Sequence, residues 1–365
     1  MEIPRKKAYL NNISLLRVFA ILIVVLGHSM IVYQYKWGIY TPVVKSSFFN
    51  ALKTYIDTFQ MPLFIFISGY VYYYSRKECG KYNNSIEFLV SKVKRLLVPY
   101  MCIALIYVLP IRMFTSYKGY YGNNVFEIIY KYFITGLDVG HLWYLLAIFE
   151  IFIVFYLFES IINKIGIPIS FVIIACANII SFKFPNIFQI SSLIHYFMFF
   201  YLGYIVRKCE LIFTNKLKEK NKIYLTVTLF ILQILFLFIY LKFHNTSIIS
   251  TLFKNIIYLL SNISGTLFYF LFLSLITFKH KSLNSNKVLK YLDRESFSIY
   301  LFHSPLIYII LKYTANKSIS PFLVVPSIFI IILSVSLIIS YIINKTKVLR
   351  FMISNPINKK NSMKI

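Results

Sequence analysis

The sequence predicts an all-α fold, a polytopic membrane bundle of about ten transmembrane helices with both termini in the cytoplasm. Three observations predict it. The 365-residue chain is 59% hydrophobic and only 14% charged, with mean hydropathy +0.70, against about 25% charged residues in an ordinary soluble domain. Apolar runs near the ~20 residues needed to cross a bilayer recur along its length. Its 39 Lys and Arg outnumber its 12 Asp and Glu, for a net charge of +27. Those charges fall between the apolar runs, as loop and headgroup-facing charges do. The lipid bilayer is therefore an expected partner, and nucleic acid is not.

Ten spans follow in order, at residues 13–33, 54–74, 96–111, 141–162, 166–182, 190–206, 223–241, 256–278, 296–312 and 322–343. The first follows a basic start, "MEIPRKKAYL". It lacks a small-residue cleavage site and carries Arg17, so an uncleaved span is expected rather than a signal peptide. The second opens with Lys53 and Asp57, which places its first turns at the interface, and Pro62 can kink it. With the N-terminus inside, the cytoplasmic segments hold 27 basic residues and the external ones 11. That asymmetry fixes the orientation. The spans and a cytoplasmic tail, 344–365, make one membrane domain over 1–365. No fused soluble domain is expected, and the expected location is the cell (plasma or inner) membrane. The four cysteines (Cys79, Cys102, Cys176 and Cys209) form no C-x-x-C pair, and no metal site is expected.

A charge inside a span is costly, so it points to a cavity or a partner. In "LLRVFAILIVVLGHSM" (15–30), Arg17 lies ~6 Å into the first span and His28 ~22 Å in. Eleven residues at ~100° each leave the two on one face, ~16 Å apart along the axis. Arg17 can snorkel to headgroups or use its fork on phosphate oxygens. His28 can be a buried hydrogen-bonding residue, or its neutral imidazole can remove a proton from a hydroxyl. His303 lies ~10 Å into the ninth span, between Arg17 and His28 in depth. Pro305 leaves the carbonyl of Leu301 free for another partner, and a core histidine supported by that carbonyl and a channel histidine are both open readings. Glu150 sits mid-span, where an unpaired carboxylate favours a cavity. Trp143 falls at an outer interface, suited to an aromatic belt, and the neighbouring His141 can simply face water. Ser68 and Gly69 also suit close helix packing.

These residues sit in an ordered set of motifs. "MPLFIFISGYVYY" (61–73), "FLVSKVKRLLVPY" (88–100), "HLWYL" (141–145), "YFMFFYLGYIVRK" (196–208) and "SFSIYLFHSPL" (296–306) follow the arginine, ten residues, histidine pattern of the first span. The whole chain resembles the acyltransferase family 3 membrane proteins, with Lys92 where arginine is common and Arg95 at the second basic position. The resemblance implies an O-acyltransferase, most simply an O-acetyltransferase of a surface carbohydrate. Acetyl-CoA is implied as donor substrate, with a carbohydrate acceptor and no bound cofactor. It implies His28, Arg17 and His303 in catalysis, and Arg17, Arg95, Lys92 and Ser68 around the donor. Trp143 and His141, within the "HLWYL" motif, and Glu150, from its mid-span carboxylate, are expected near the acceptor. Direct transfer and a covalent acyl-histidine are equally compatible with these residues. The rival reading is an exporter of polysaccharide or glycolipid, since an intramembrane Arg and His also suit ion-coupled transport.

Overall fold

The computed structural model describes residues 11–34, 37–213, 219–244 and 247–353. The extreme termini, with most of the expected tail, lie outside the described residues. Among the described residues all regular structure is helical. The helices are α1 (Asn11–Ser29), α2 (Ser47–Asp57), α3 (Gln60–Tyr73, continued by a π-turn Tyr74–Glu78), α4 (Ser85–Phe114), α5 (Val125–Ile128, continued by a π-turn Ile129–Ile134), α6 (Trp143–Ile165), α7 (Ile167–Ile180), α8 (Ile190–Phe213), α9 (Glu219–Lys242), α10 (Ile248–Lys279), α11 (Lys287–Thr314) and α12 (Pro321–Ile343). A short helix, Lys347–Met352, follows.

Nine of the ten expected spans each fall on one of these helices, and the second is divided between α2 and α3. Seven of them (α1, α4, α6, α8, α9, α10 and α12) are long and apolar enough to cross a membrane by length and composition. The helix through α7 is apolar but shorter, and α11 carries Lys287, Lys290, Asp293, Arg294 and Glu295 in its first turns. The membrane-crossing count expected from the sequence is tested by reporter fusions. Fusions after Lys81, Arg207 and Lys290 should report cytoplasmic, and fusions near Lys118 and Lys242 external. An external signal at Arg207 would overturn the ten-span arrangement.

Two boundaries differ from expectation. The second span begins at Gln60, not at 54. Lys53 and Asp57 belong to the separate helix α2, and the chain breaks at Thr58 and Phe59. Pro62 therefore sits in the first turn of α3, where a missing N–H is tolerated, and it does not kink a span. The third span begins at Ser85, eleven residues before the expected 96. Asn84 caps it by accepting from the N–H groups of Ile86 and Glu87 at 2.8 and 3.4 Å. Two π-turns, Val93–Leu97 and Ala104–Val108, precede Pro99 and Pro110. The widened turns absorb residues that lack an N–H.

The closest helix crossing joins α3 to α8. A Cβ on Gly69 would lie 1.9 Å from the carbonyl oxygen of Phe200, and one on Gly203 would lie 2.0 Å from that of Phe66. Glycine at both positions lets the two backbones touch. Gly69→Ala must therefore separate the helices, and its expected cost is at the upper end of the ~1–3 kcal/mol typical of overpacking. A detergent-solubilised Gly69→Ala protein with wild-type thermal stability would contradict this. On the expected cytoplasmic side, Arg207 of α8 clamps Glu78 with two bonds of 2.7 and 2.8 Å, and Arg76 reaches Glu159 of α6 at 2.8 Å. These pairs fix the ends of α3, α6 and α8 together.

Candidate functional site

Helix α1 packs along α11, and the two are matched at both ends of the contact. Arg17 pairs with Asp293 at 2.7 Å, and Asp293 also accepts from the Ser14 hydroxyl at 2.7 Å. Toward the other end of α1, the His28 ring meets the His303 ring edge-on, with centroids 4.9 Å apart. Both partners come from α11, so the face shared by Arg17 and His28 addresses one neighbouring helix. The two helices must also run the same way. Arg17 is thus not simply snorkelling: its guanidinium is held by a carboxylate while a third of the side chain remains accessible.

Hydrogen bonds set the imidazole tautomers, because a carbonyl oxygen only accepts. The Nδ1–H of His28 donates to Val24 O at 2.9 Å. Its Nε2 therefore carries the lone pair, and the side chain is partly accessible. The Nδ1–H of His303 donates to Tyr300 O at 2.7 Å. Its Nε2 is buried without a hydrogen-bond partner, which is costly unless something occupies it. His141 also meets the His303 ring edge-on, with centroids 5.2 Å apart. Three histidines from α1, α11 and the start of α6 thus form one row of contacts, His28 to His303 to His141.

Here the structure corrects two expectations. His141 does not face water: it is buried. Its Nε2–H donates to Leu301 O at 3.0 Å, the carbonyl that Pro305 leaves free. That carbonyl therefore supports His141 rather than His303. Tyr300 returns the contact by donating its hydroxyl to the His141 carbonyl. The carbonyl freed by Pro305 is thus where the "HLWYL" segment grips α11.

The residues expected around the donor come together toward the expected cytoplasmic side. Arg95 lies within electrostatic reach of Arg17 and Tyr144, and Lys92 is beside Arg95. Ser68 donates to Phe64 O at 3.1 Å, with the Tyr144 hydroxyl 3.5 Å away. Lys92 is buried in an aromatic cage, its Nζ 3.5 Å from the Phe152 ring centroid and 5.0 Å from that of Tyr82. Among the described residues no carboxylate forms an ion pair with Lys92 or Arg95. Trp143 and Glu150 do not join this group. Trp143 packs on Tyr196 at 5.1 Å, and Glu150, its Oε2 buried and unpartnered, faces Tyr100.

The residues match the acyltransferase domain family (Acyl_transf_3) over positions 10–344, nearly the full length. The chain belongs to this acyltransferase family. No curated protein and no solved structure matches it. As a membrane acyltransferase of that family, it must bring an activated acyl group and an acceptor to one point among its helices.

Sequence reasoning missed Asp293, Tyr300 and the polar cluster beside His28. In that cluster Asp57 accepts from Gln34 at 2.6 Å and also binds Lys53 and Gln60. One signal was available for Asp293. It precedes His303 by ten residues, nearly repeating the eleven-residue interval from Arg17 to His28 on a second helix.

Proposed function

We propose that the protein is an O-acetyltransferase of the cell membrane that moves an acetyl group from acetyl-CoA to a hydroxyl of a surface polysaccharide or glycan precursor. The observation that carries this reading is the Nε2 lone pair of His28, fixed by the Val24 carbonyl behind it and placed on the same face as Arg17. In the reaction Nε2 takes the proton of the acceptor hydroxyl. The oxygen attacks the thioester carbonyl, and the carbon–sulfur bond breaks as the coenzyme A thiolate leaves and is protonated by the imidazolium. His303, edge-on to His28, limits rotation of the imidazole and contributes its own lone pair to the channel. Arg17, Arg95 and Lys92 gather three cations with one carboxylate among them. Such a cluster is favourable when an anion neutralises it, and the phosphates of coenzyme A are suited to this.

Arg17→Lys tests the donor side. An ammonium keeps the charge but loses the planar fork that can hold Asp293 and a phosphate together. Donor affinity is expected to fall about tenfold or more, and normal acetyl-CoA binding by Arg17→Lys would remove Arg17 from the donor site. The overall function is tested with labelled acetyl-CoA and purified protein in detergent, using the glycan of a strain lacking the gene as acceptor. Label should enter the glycan without any transmembrane gradient. Failure there, together with glycan movement across sealed vesicles, would favour an exporter.

A further inference from the structure

We propose that the cavity at the start of α6 is a binding site for a neutral, polyhydroxylated ring, a sugar unit of the acceptor. Identifying the occupant as the acceptor rests on the acyl-transfer reading above; the sugar-binding chemistry does not. The cavity is an open cleft of about 330 Å³, within the usual ~300–1,000 Å³ of small-molecule sites. Its lining includes the aromatic rings of Trp143 and Tyr196, the polar side chains of Asn186, Gln189 and Ser192, and Asp138.

The walls are built. Gln189 is buried, and its Nε2 donates to Gly136 O at 2.5 Å. Its Oε1 accepts from the Ser192 hydroxyl at 2.8 Å and from Asn186 Nδ2 at 3.3 Å. To place it there the backbone takes left-handed conformations at two consecutive non-glycine residues, Phe188 (φ 53°) and Gln189 (φ 61°). The turn is held by the Phe188 N–H donating to Thr135 O at 2.7 Å. Strain of this kind persists where the surroundings over-determine it, and it clusters at ligand clamps.

The chemistry of the lining selects the ligand. Among the described residues no lysine, arginine or histidine lines the cavity, so an anion would find no counter-charge there. Its carboxylate, Asp138, is already held by Arg112 at 3.4 Å and by the Tyr117 hydroxyl at 2.6 Å. What remains is an aromatic face beside amides and a hydroxyl. That combination suits a sugar, with C–H groups against the indole and O–H groups on the amides. The cavity also adjoins the histidine row. Gly140 and Trp143 flank His141, and Tyr196 is within electrostatic reach of Asp57. Asp57 binds Gln60, whose amide occupies the place a Cβ on Gly27, next to His28, would take. From the cavity wall at Gly140, the contacts of His141 with His303 and of His303 with His28 lead to the proposed base.

The sequence contains two tryptophans, so Trp37→Phe leaves Trp143 as the only indole reporter. The purified Trp37→Phe protein in detergent is titrated, without donor, with maltotriose, cellotriose and chitotriose, and with sialyllactose as an anionic control. A saturable change in emission is expected with at least one neutral sugar and not with the anionic one. Gln189→Ala should weaken it about tenfold, the scale of one lost hydrogen bond at a ligand. Silence with all three neutral sugars, or unchanged affinity in Gln189→Ala, overturns the proposal. Ser192→Trp, which fills the cavity, separates the two readings. If it transfers acetyl groups to the glycan at the wild-type rate, the cavity is not the acceptor site and the enzymatic function stands. If the wild type binds sugar but neither binds nor uses acetyl-CoA, the cavity stands and the acetyltransferase reading fails.

Discussion

Inserting one alanine between Ile21 and Leu22 is expected to abolish acyl transfer while the protein still enters the membrane. Helix α1 meets α11 at two separated points, Arg17 on Asp293 and His28 on His303. The insertion rotates everything beyond it by ~100° and advances it by ~1.5 Å. Arg17 can keep Asp293, but His28 then turns away from His303 and from the site. Composition and hydrophobicity barely change, so membrane insertion should survive. A four-residue insertion, "AILI", restores the direction to within ~40° but lengthens the interval by ~6 Å. His303 cannot follow, since its depth is set by the pairing of Asp293 and by the His141 bond to Leu301. This variant should fail as well. Leu22→Ile keeps both length and volume and should be nearly silent. Transfer is measured per unit of membrane-inserted protein, since a rotated half-helix can also disturb packing. Full activity in a well-inserted single-alanine variant would make the shared face of Arg17 and His28 a coincidence.

The helices were legible because the apolar runs are long and the charges stand between them. Their starts were less so. At Ser85 a capping asparagine begins α4 among charged residues that read as a loop. At Gln60 a two-residue break divides what looked like one span. Arg17 and His28 could be placed on one face because helical geometry alone relates residues eleven apart. What that face would meet could not be read, since the partner helix lies more than 250 residues on, as the Ser14–Asp293 separation of 279 shows. The carbonyl freed by Pro305 was legible, but its taker was not. His141 comes from 160 residues earlier and looked like an exposed residue beside an interfacial tryptophan. The cavity was the least legible part. Asn186, Gln189 and Ser192 are ordinary loop and helix-start residues until the left-handed turn at Phe188 and Gln189 brings them into the cavity lining with Trp143.

The central claim is that the Nε2 of His28 removes the acceptor proton. The measurement that tests it most directly is acetyl transfer from labelled acetyl-CoA by His28→Ala, compared with wild type at equal membrane abundance and with donor binding measured in parallel. Alanine keeps the helix and removes only the imidazole, whose visible anchor is the Val24 carbonyl of its own helix. Donor binding should persist, because Arg17, Arg95 and Lys92 are untouched. Loss of one positioned base typically lowers the rate by about 10²–10⁴, and a fall of that size with acetyl-CoA still bound is the predicted result. Turnover within a few-fold of wild type in an inserted His28→Ala protein would contradict it and remove His28 from the chemistry.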